Sequence, residues 1–207
     1  MTNVASQIRF APGGGLFLAP APSGRPGGTT LPIEVGDGQT APSGYKALGY
    51  VDEGGVTITP SIETDPVGAW QSATPVMYVV KSASFQVKAT LLESNKITTE
   101  AFYGATWKPV LDNTNKPTGT YRLDLASSPT LDEISLVVDW SEKGILNRCV
   151  IPRAMISERG GITLQRVESQ KYELTISALD FAGGLGYVLS TDPALGEVTV
   201  PAPPTTP

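Results

Sequence analysis

The sequence predicts a mainly β protein: two packed antiparallel sheets, sandwich or barrel-like, with one short flanking helix and an extended arm at each end. Three observations carry that expectation. Apolar and polar residues alternate with period two through several long stretches, the pattern of strands with one dry and one wet face. Only one short stretch has helical spacing with a capping residue at each end. Glycine (22) and proline (18) are in excess over 207 residues, which means many turns and some irregular chain.

The longest alternation runs from Met77 to Leu91. Met77, Val79, Ala83, Phe85, Val87, Ala89 and Leu91 fall on one side, and Ser82, Ser84, Gln86, Lys88 and Thr90 on the other. Ile134, Leu136, Val138 and Trp140 alternate with Glu133, Ser135 and Asp139 in a second strand. Ser141 to Gly144 turns the chain, and Ile145 to Ile151 returns as a hairpin. A third unit is expected from Ile162 to Val167. A fourth runs from Tyr172 to Asp180, with Tyr172, Leu174, Ile176 and Ala178 opposite Glu173, Thr175 and Ser177. Shorter strands are expected at Ala47–Val51, Val56–Thr59 and Tyr121–Leu125, and Asp112 to Gly119 is a turn by composition. The helix spans about 94–103: Ser94 or Asn95 can cap it, Gly104 can stop it, and Ile97 and Ala101 would face the sheet.

The ends read differently. Between Ala11 and Gly44, 15 of 34 positions are glycine or proline, with apolar anchors such as Phe10, Leu16, Phe17 and Leu18 spaced along the stretch. Two readings stand: a loop folded over its own domain, or an arm that docks on a neighbouring subunit and orders on assembly. From Thr191 to Pro207 the sequence reads as a flexible tail. The expected organisation is an arm over 1–44, a β domain over 45–190 and a tail over 191–207.

The inventory of chemical groups is short. There is no histidine, and Cys149 is the only cysteine, which excludes His-dependent triads, His-ligated metals, internal disulfides and Cys-rich zinc sites. No phosphate-binding glycine loop or nucleophile elbow occurs. Ser43 and Lys46 match Ser-x-x-Lys in letters only, because they sit in Gly/Pro-rich chain and not on a helical turn. Asp52–Glu53 and Asp132–Glu133 are adjacent and would point to opposite faces of a strand. Asp112, Asn113 and Asn115 lack the glycine and distal glutamate of a calcium loop. Cys149 reads as a small buried hydrophobe. Trp70, Trp107 and Trp140 suit core or interface anchors, with a sugar platform as the alternative. No cofactor and no metal are expected. The net charge of −5 argues against a dedicated nucleic-acid binder. No apolar run reaches the roughly 20 residues of a membrane-spanning helix, and Pro12 and Gly13–Gly15 interrupt any signal-like segment. A soluble protein of a reducing compartment is the default expectation. The wet faces, made of small polar residues, fit either an ordinary solvent face or a water-lined passage built from several copies.

Several stretches carry a resemblance. Ala47-Leu-Gly-Tyr-Val-Asp-Glu-Gly-Gly-Val-Thr-Ile-Thr-Pro60, Ala69-Trp-Gln71, Ala89 to Asn95 leading into Ala101-Phe-Tyr-Gly104, Val137-Val-Asp-Trp140, Val150 to Ala154 and Tyr172 to Ala178 resemble, in order, the major tail (tail tube) proteins of long-tailed, siphovirus-type bacteriophages, particularly those infecting actinobacteria. The likeness covers about residues 45–190. It implies a structural virion protein without catalysis that self-assembles into stacked hexameric rings. These form the tail tube through which DNA is ejected into the host. It implies assembly in the host cytoplasm, and as partners the chain itself, a tape measure protein, a tail terminator and tail-tip proteins. Double-stranded DNA would pass without specific binding, and no membrane insertion is implied. On this reading Gln86, Lys88, Thr90, Glu173, Thr175 and Ser177 are candidate lumen residues, and Phe10, Leu16 and Phe17 are candidate contacts between rings. Deleting residues 1–40 is then expected to leave folded monomers that no longer stack. A head decoration or adhesin-like β-sandwich of the virion is the alternative, and a carboxylate-dependent glycosidase a distant third.

Overall fold

The structure, a computed structural model, describes residues 5–22, 28–127 and 132–196. It is mainly β, with two antiparallel sheets and one short helix. The strands are β1 (Gly13–Pro20), β2 (Lys46–Ala47), β3 (Val51–Ala69), β4 (Ser72–Leu91), β5 (Trp107–Leu111), β6 (Pro117–Leu123), β7 (Ile134–Glu142), β8 (Ile145–Arg159), β9 (Tyr172–Ala178) and β10 (Tyr187–Ser190). The helix α1 (Lys96–Tyr103) lies between β4 and β5. The large sheet has the order β2-β1-β7-β8-β9-β4-β3, with β10 paired beside β8; β5 and β6 form a separate hairpin. Side chains of β1 and β7 meet those of β4 and β9 in one cluster that includes Leu16, Leu91, Leu136, Ile151, Leu174 and Ile176. The large sheet therefore folds back on itself around this main core. β8 joins the two halves: its first half lies between β7 and β10, and its second half pairs with β9.

Local chemistry explains the elements. The β7–β8 hairpin closes through Lys143 (φ 49) and Gly144 (φ 85), the two left-handed residues that a two-residue turn matched to strand twist requires. Asn95 is the N-cap of α1: its side-chain oxygen accepts from the Thr98 amide at 2.9 Å, and Gly104 ends the helix in the left-handed conformation. Thr98 and Phe102 form the most buried face of α1, with Ile97 and Ala101 packed at its margin. The turn from Asp112 is held by its carboxylate, which accepts from the Thr114 and Lys116 amides; these bonds pull the Asp112 pKa below the usual carboxylate range.

Several expectations are corrected. Residues 13–20 are a strand inside the main sheet, hydrogen-bonded along β7 from Gly13 to Pro20. Leu16 and Phe17 are both 1% exposed, so neither is available to a neighbouring ring. The Gly/Pro-rich chain after residue 28 folds over its own domain and is not a free arm. It covers a second cluster of Phe17, Ala19, Tyr45, Val137 and Val150 with Leu31 and Ala41. Deleting residues 1–40 thus removes a core strand and its cover, and is expected to prevent the monomer from folding. The alternation seen over Ile162–Val167 gives no strand. Leu164 and Val167 are exposed there, because no neighbouring ladder receives them. β8 instead continues eight residues past Ile151, passing Pro152 at the point where its register with β7 shifts. A proline is tolerated in a ladder where no donor is needed. Of the expected tail, residues 191–196 are tied to the body: the Thr191 amide donates to Leu146 O and Arg9 forms a bidentate pair with Asp192. Residues 197–207 lie outside the described residues.

A buried ion pair locks the covering loop. Arg148 and Asp139 face each other across β7 and β8 in a bidentate pair, at 2.7 and 2.6 Å, and are 5% and 1% exposed. The third guanidinium donor reaches Glu34 O at 2.7 Å, and the Tyr187 hydroxyl donates to Pro32 O. Gly36 lies so close that a Cβ there would collide with both charged side chains. Removing one member leaves a buried, unpaired charge, which is far more harmful than losing an exposed pair. Asp139→Ala is therefore expected to lower the unfolding free energy of the unassembled chain by about 3–5 kcal/mol in urea titration. Breaking the exposed Arg122–Asp124 pair with Arg122→Ala is expected to change it by less than about 1 kcal/mol.

Candidate functional site

β3, β4, β9 and the second half of β8 present a continuous polar face. The six residues singled out from the sequence form three cross-strand pairs on it: Gln86 with Ser177, Lys88 with Thr175, and Thr90 with Glu173. β3 adds Thr57, Thr59, Ser61 and Glu63, opposite Lys88, Gln86, Ser84 and Ser82. β8 adds Met155 and Glu158, opposite Ser177 and Thr175. Several of the groups bond to one another. Gln86 Nε2 donates to Ser177 Oγ at 3.2 Å, Ser157 and Ser177 hydroxyls share a 2.8 Å bond, and Ser82 Oγ donates to Glu63. Thr175, between Lys88 and Glu158 on the adjoining strands, is nearly buried.

Lys88 forms an ion pair with Glu173 across the β4–β9 ladder. Its hydrogen bond and charge interaction with Glu173 hold the ammonium above the ordinary lysine pKa. The one cation among these paired residues is thus neutralised in place. Glu63, Glu158 and Glu173 leave the face with an acidic balance, the sign that phosphate groups avoid. Sequence reasoning missed the contribution of β8 because it ended that strand at Ile151. The signal was present: Ala154 and Ile156 continue inward while Met155 points outward past Pro152.

Two further surfaces are open. β3 is the last strand of its sheet, and among the described residues nothing pairs with its outer edge. Beyond about residue 61 the β3–β4 hairpin projects past the core. The dry face expected along the whole of β4 is dry only from Phe85 to Leu91. Ile62, Trp70, Val76, Met77, Tyr78, Val79 and Val80 are all exposed, Trp70 by 98%. Phe10 is also exposed, and its amide donates to Glu142 Oε2 at 2.7 Å.

No cluster of His, Cys, Asp or Glu suited to a metal occurs among the described residues. Of the acidic residues considered for catalysis, Asp52 pairs with Lys171 and Glu133 is held bidentately by Arg153. Trp107 donates from Nε1 to Thr99 Oγ1 beside α1 and Trp140 packs on the core, so with Trp70 at the hairpin tip the tryptophans form no common platform. No helix among the described residues is long and apolar enough to cross a membrane.

The class that this arrangement defines is a structural β protein with a self-satisfied body, an exposed apolar hairpin and an unpaired sheet edge. More particularly, the chain belongs to the phage tail tube protein family, whose sequence profile matches residues 1–199. It is accordingly a structural component of a virion tail. Comparison with curated proteins returns no match.

The polar pairs make a checkable statement. In Glu173→Gln the Lys88 ammonium loses the partner that raises its pKa, so its titration, followed by NMR of the side-chain nitrogen, is expected to move to lower pH. The sign follows from linkage. A raised lysine pKa adds stability below the unfolded value, and that contribution is lost as pH rises through the folded one.

Proposed function

We propose that the chain forms hexameric rings that stack into the tail tube, a hollow conduit for DNA ejection. The observation that carries this reading is the conjunction of a polar face, cross-linked by side-chain hydrogen bonds and an ion pair, with an open edge on the same sheet. A sheet edge invites a further strand. Closure of several copies into a ring removes the edge and encloses the polar face around water. Gln86, Lys88, Thr90, Glu173, Thr175 and Ser177 then line the channel, with Thr57, Thr59, Ser157 and Glu158 beside them. Their acidic balance gives the DNA backbone no cationic hold. A tape measure protein in the channel, and terminator and tail-tip proteins at its ends, are the further partners of this reading.

The distal hairpin is the element proposed to join one ring to the next. Its apolar side chains are too many and too contiguous for a surface that stays in water, and Trp70 is the kind of residue that dominates an interface. Phe10, the exposed member of the three N-terminal residues, is a second contact of the same kind.

Negative-stain imaging of the purified protein is expected to show six-fold rings with an open centre, stacked into tubes. Discrete trimers or solid particles would favour a head decoration or adhesin instead. Trp70→Ser is expected to leave rings intact and to raise the concentration needed for tubes about thirty-fold, as for loss of about 2 kcal/mol at an interface centre. Sedimentation across a concentration series measures it.

A further inference from the structure

The open edge has a definite counterpart. Pairing between β7 and β8 ends at Ile134 with Ala154, after which β8 continues alone on that side to Arg159. Among the described residues no strand covers Met155–Arg159 there. That side opens into a cleft of 590 Å³ lined in part by Ile134, Ile156, Arg159, Glu100 and Gly104. The polar-faced unit β8-β9-β4-β3 therefore has two free margins: β8 over Met155–Arg159 at one end and β3 at the other.

β3 limits where its margin can accept a strand. Pro60 and Pro66 lie within it, paired opposite Phe85 and Tyr78 of β4. A proline fits a ladder only where its nitrogen turns away from the partner, so both face the outer edge. The outward donors are then those of Val56, Ile58, Ile62 and Thr64, with gaps at Pro60 and Pro66. Toward the other end, an irregularity around Gly54–Gly55 interrupts the strand before Val56. The usable edge is Val56–Pro60, five residues, and the free stretch of β8 is five residues as well.

Direction agrees. The four strands alternate, antiparallel at each step. An even number of alternating strands carried around a rotation axis brings β3 of one copy antiparallel to β8 of the next, with no break in pattern. We propose that the lateral seam between copies of this chain is an antiparallel pairing of the Val56–Pro60 edge with the Met155–Arg159 edge, and that Pro60 ends it. The distal hairpin beyond Pro60 is thereby kept out of the lateral ladder and free for other contacts. This assignment rests on the ring reading above and goes further by naming both partners in the seam.

A cysteine panel tests it. Thr57→Cys or Thr59→Cys is combined in one chain with Ser157→Cys or Glu158→Cys, and assembled protein is treated with a short bismaleimide. Cys149 is a silent background, because it is buried and its thiol is pushed up to about 11. The expected result is a covalent ladder ending at six chains for at least one pair, and none for the single-cysteine chains. Tubes that form but give no ladder with any pair overturn the seam and leave the tube reading standing; a native chain that never forms rings overturns both. A second comparison is independent of side-chain chemistry. Ile58→Pro and Ile58→Ala lose the same core contacts, but only proline removes an outward donor. Ile58→Pro is expected to lower the ring fraction about tenfold below Ile58→Ala, as for one unmet backbone group per seam. Equal ring yields from the two overturn the seam.

Discussion

A β-strand offers hydrogen-bonding groups on two sides, and β3 finds a partner on only one. Over 19 residues β4 meets one row of its groups, while the other row has no strand among the described residues. The rest of the architecture is arranged about that imbalance. Exposed strand edges are templates for further pairing, and natural sheets restrain them with prolines, bulges and charges. β3 has Pro60, Pro66 and the irregularity at Gly54–Gly55. These devices narrow the edge to a short window and do not abolish it.

The side chains of the body, by contrast, are well matched. Among the described residues no buried side-chain polar atom lacks a partner, and the one fully buried ion pair is bidentate and further bonded to Glu34 O. The loop after residue 28 is held by that pair, by Tyr187 and by close glycine contacts at Gly36. A rigid, closed body beside an apolar hairpin with no cover is the division expected of a subunit that folds first and associates afterwards. The polar face follows the same logic. Its side chains bond to one another, and Lys88 is neutralised by Glu173.

Much of this was legible in the residues. The β class, the capped helix and the β7–β8 turn follow from local rules, since alternation, an Asn cap and a Lys-Gly pair act over a few positions. The six polar residues on β4 and β9 were found together because period two assigns a face without any knowledge of neighbours. The family resemblance noted over residues 45–190 agrees with the profile match over 1–199.

Other features depended on partners distant in the chain. Leu16 and Phe17 look the same in sequence whether they anchor an arm or fill a core; pairing with β7, more than a hundred residues later, decides it. Ile162–Val167 and Met155–Arg159 both carry strand-like patterns, yet only the second lies beside β9 and becomes a strand. The alternation in β4 is uniform, but the core reaches only its last third, so identical apolar residues are buried at Val87 and exposed at Val79. Sequence by itself determined which residues can form strands and which faces they carry, because those depend on local geometry. Tertiary structure alone decided which strands are paired, covered or left open, because hydrogen bonds and burial are settled between segments far apart in the chain.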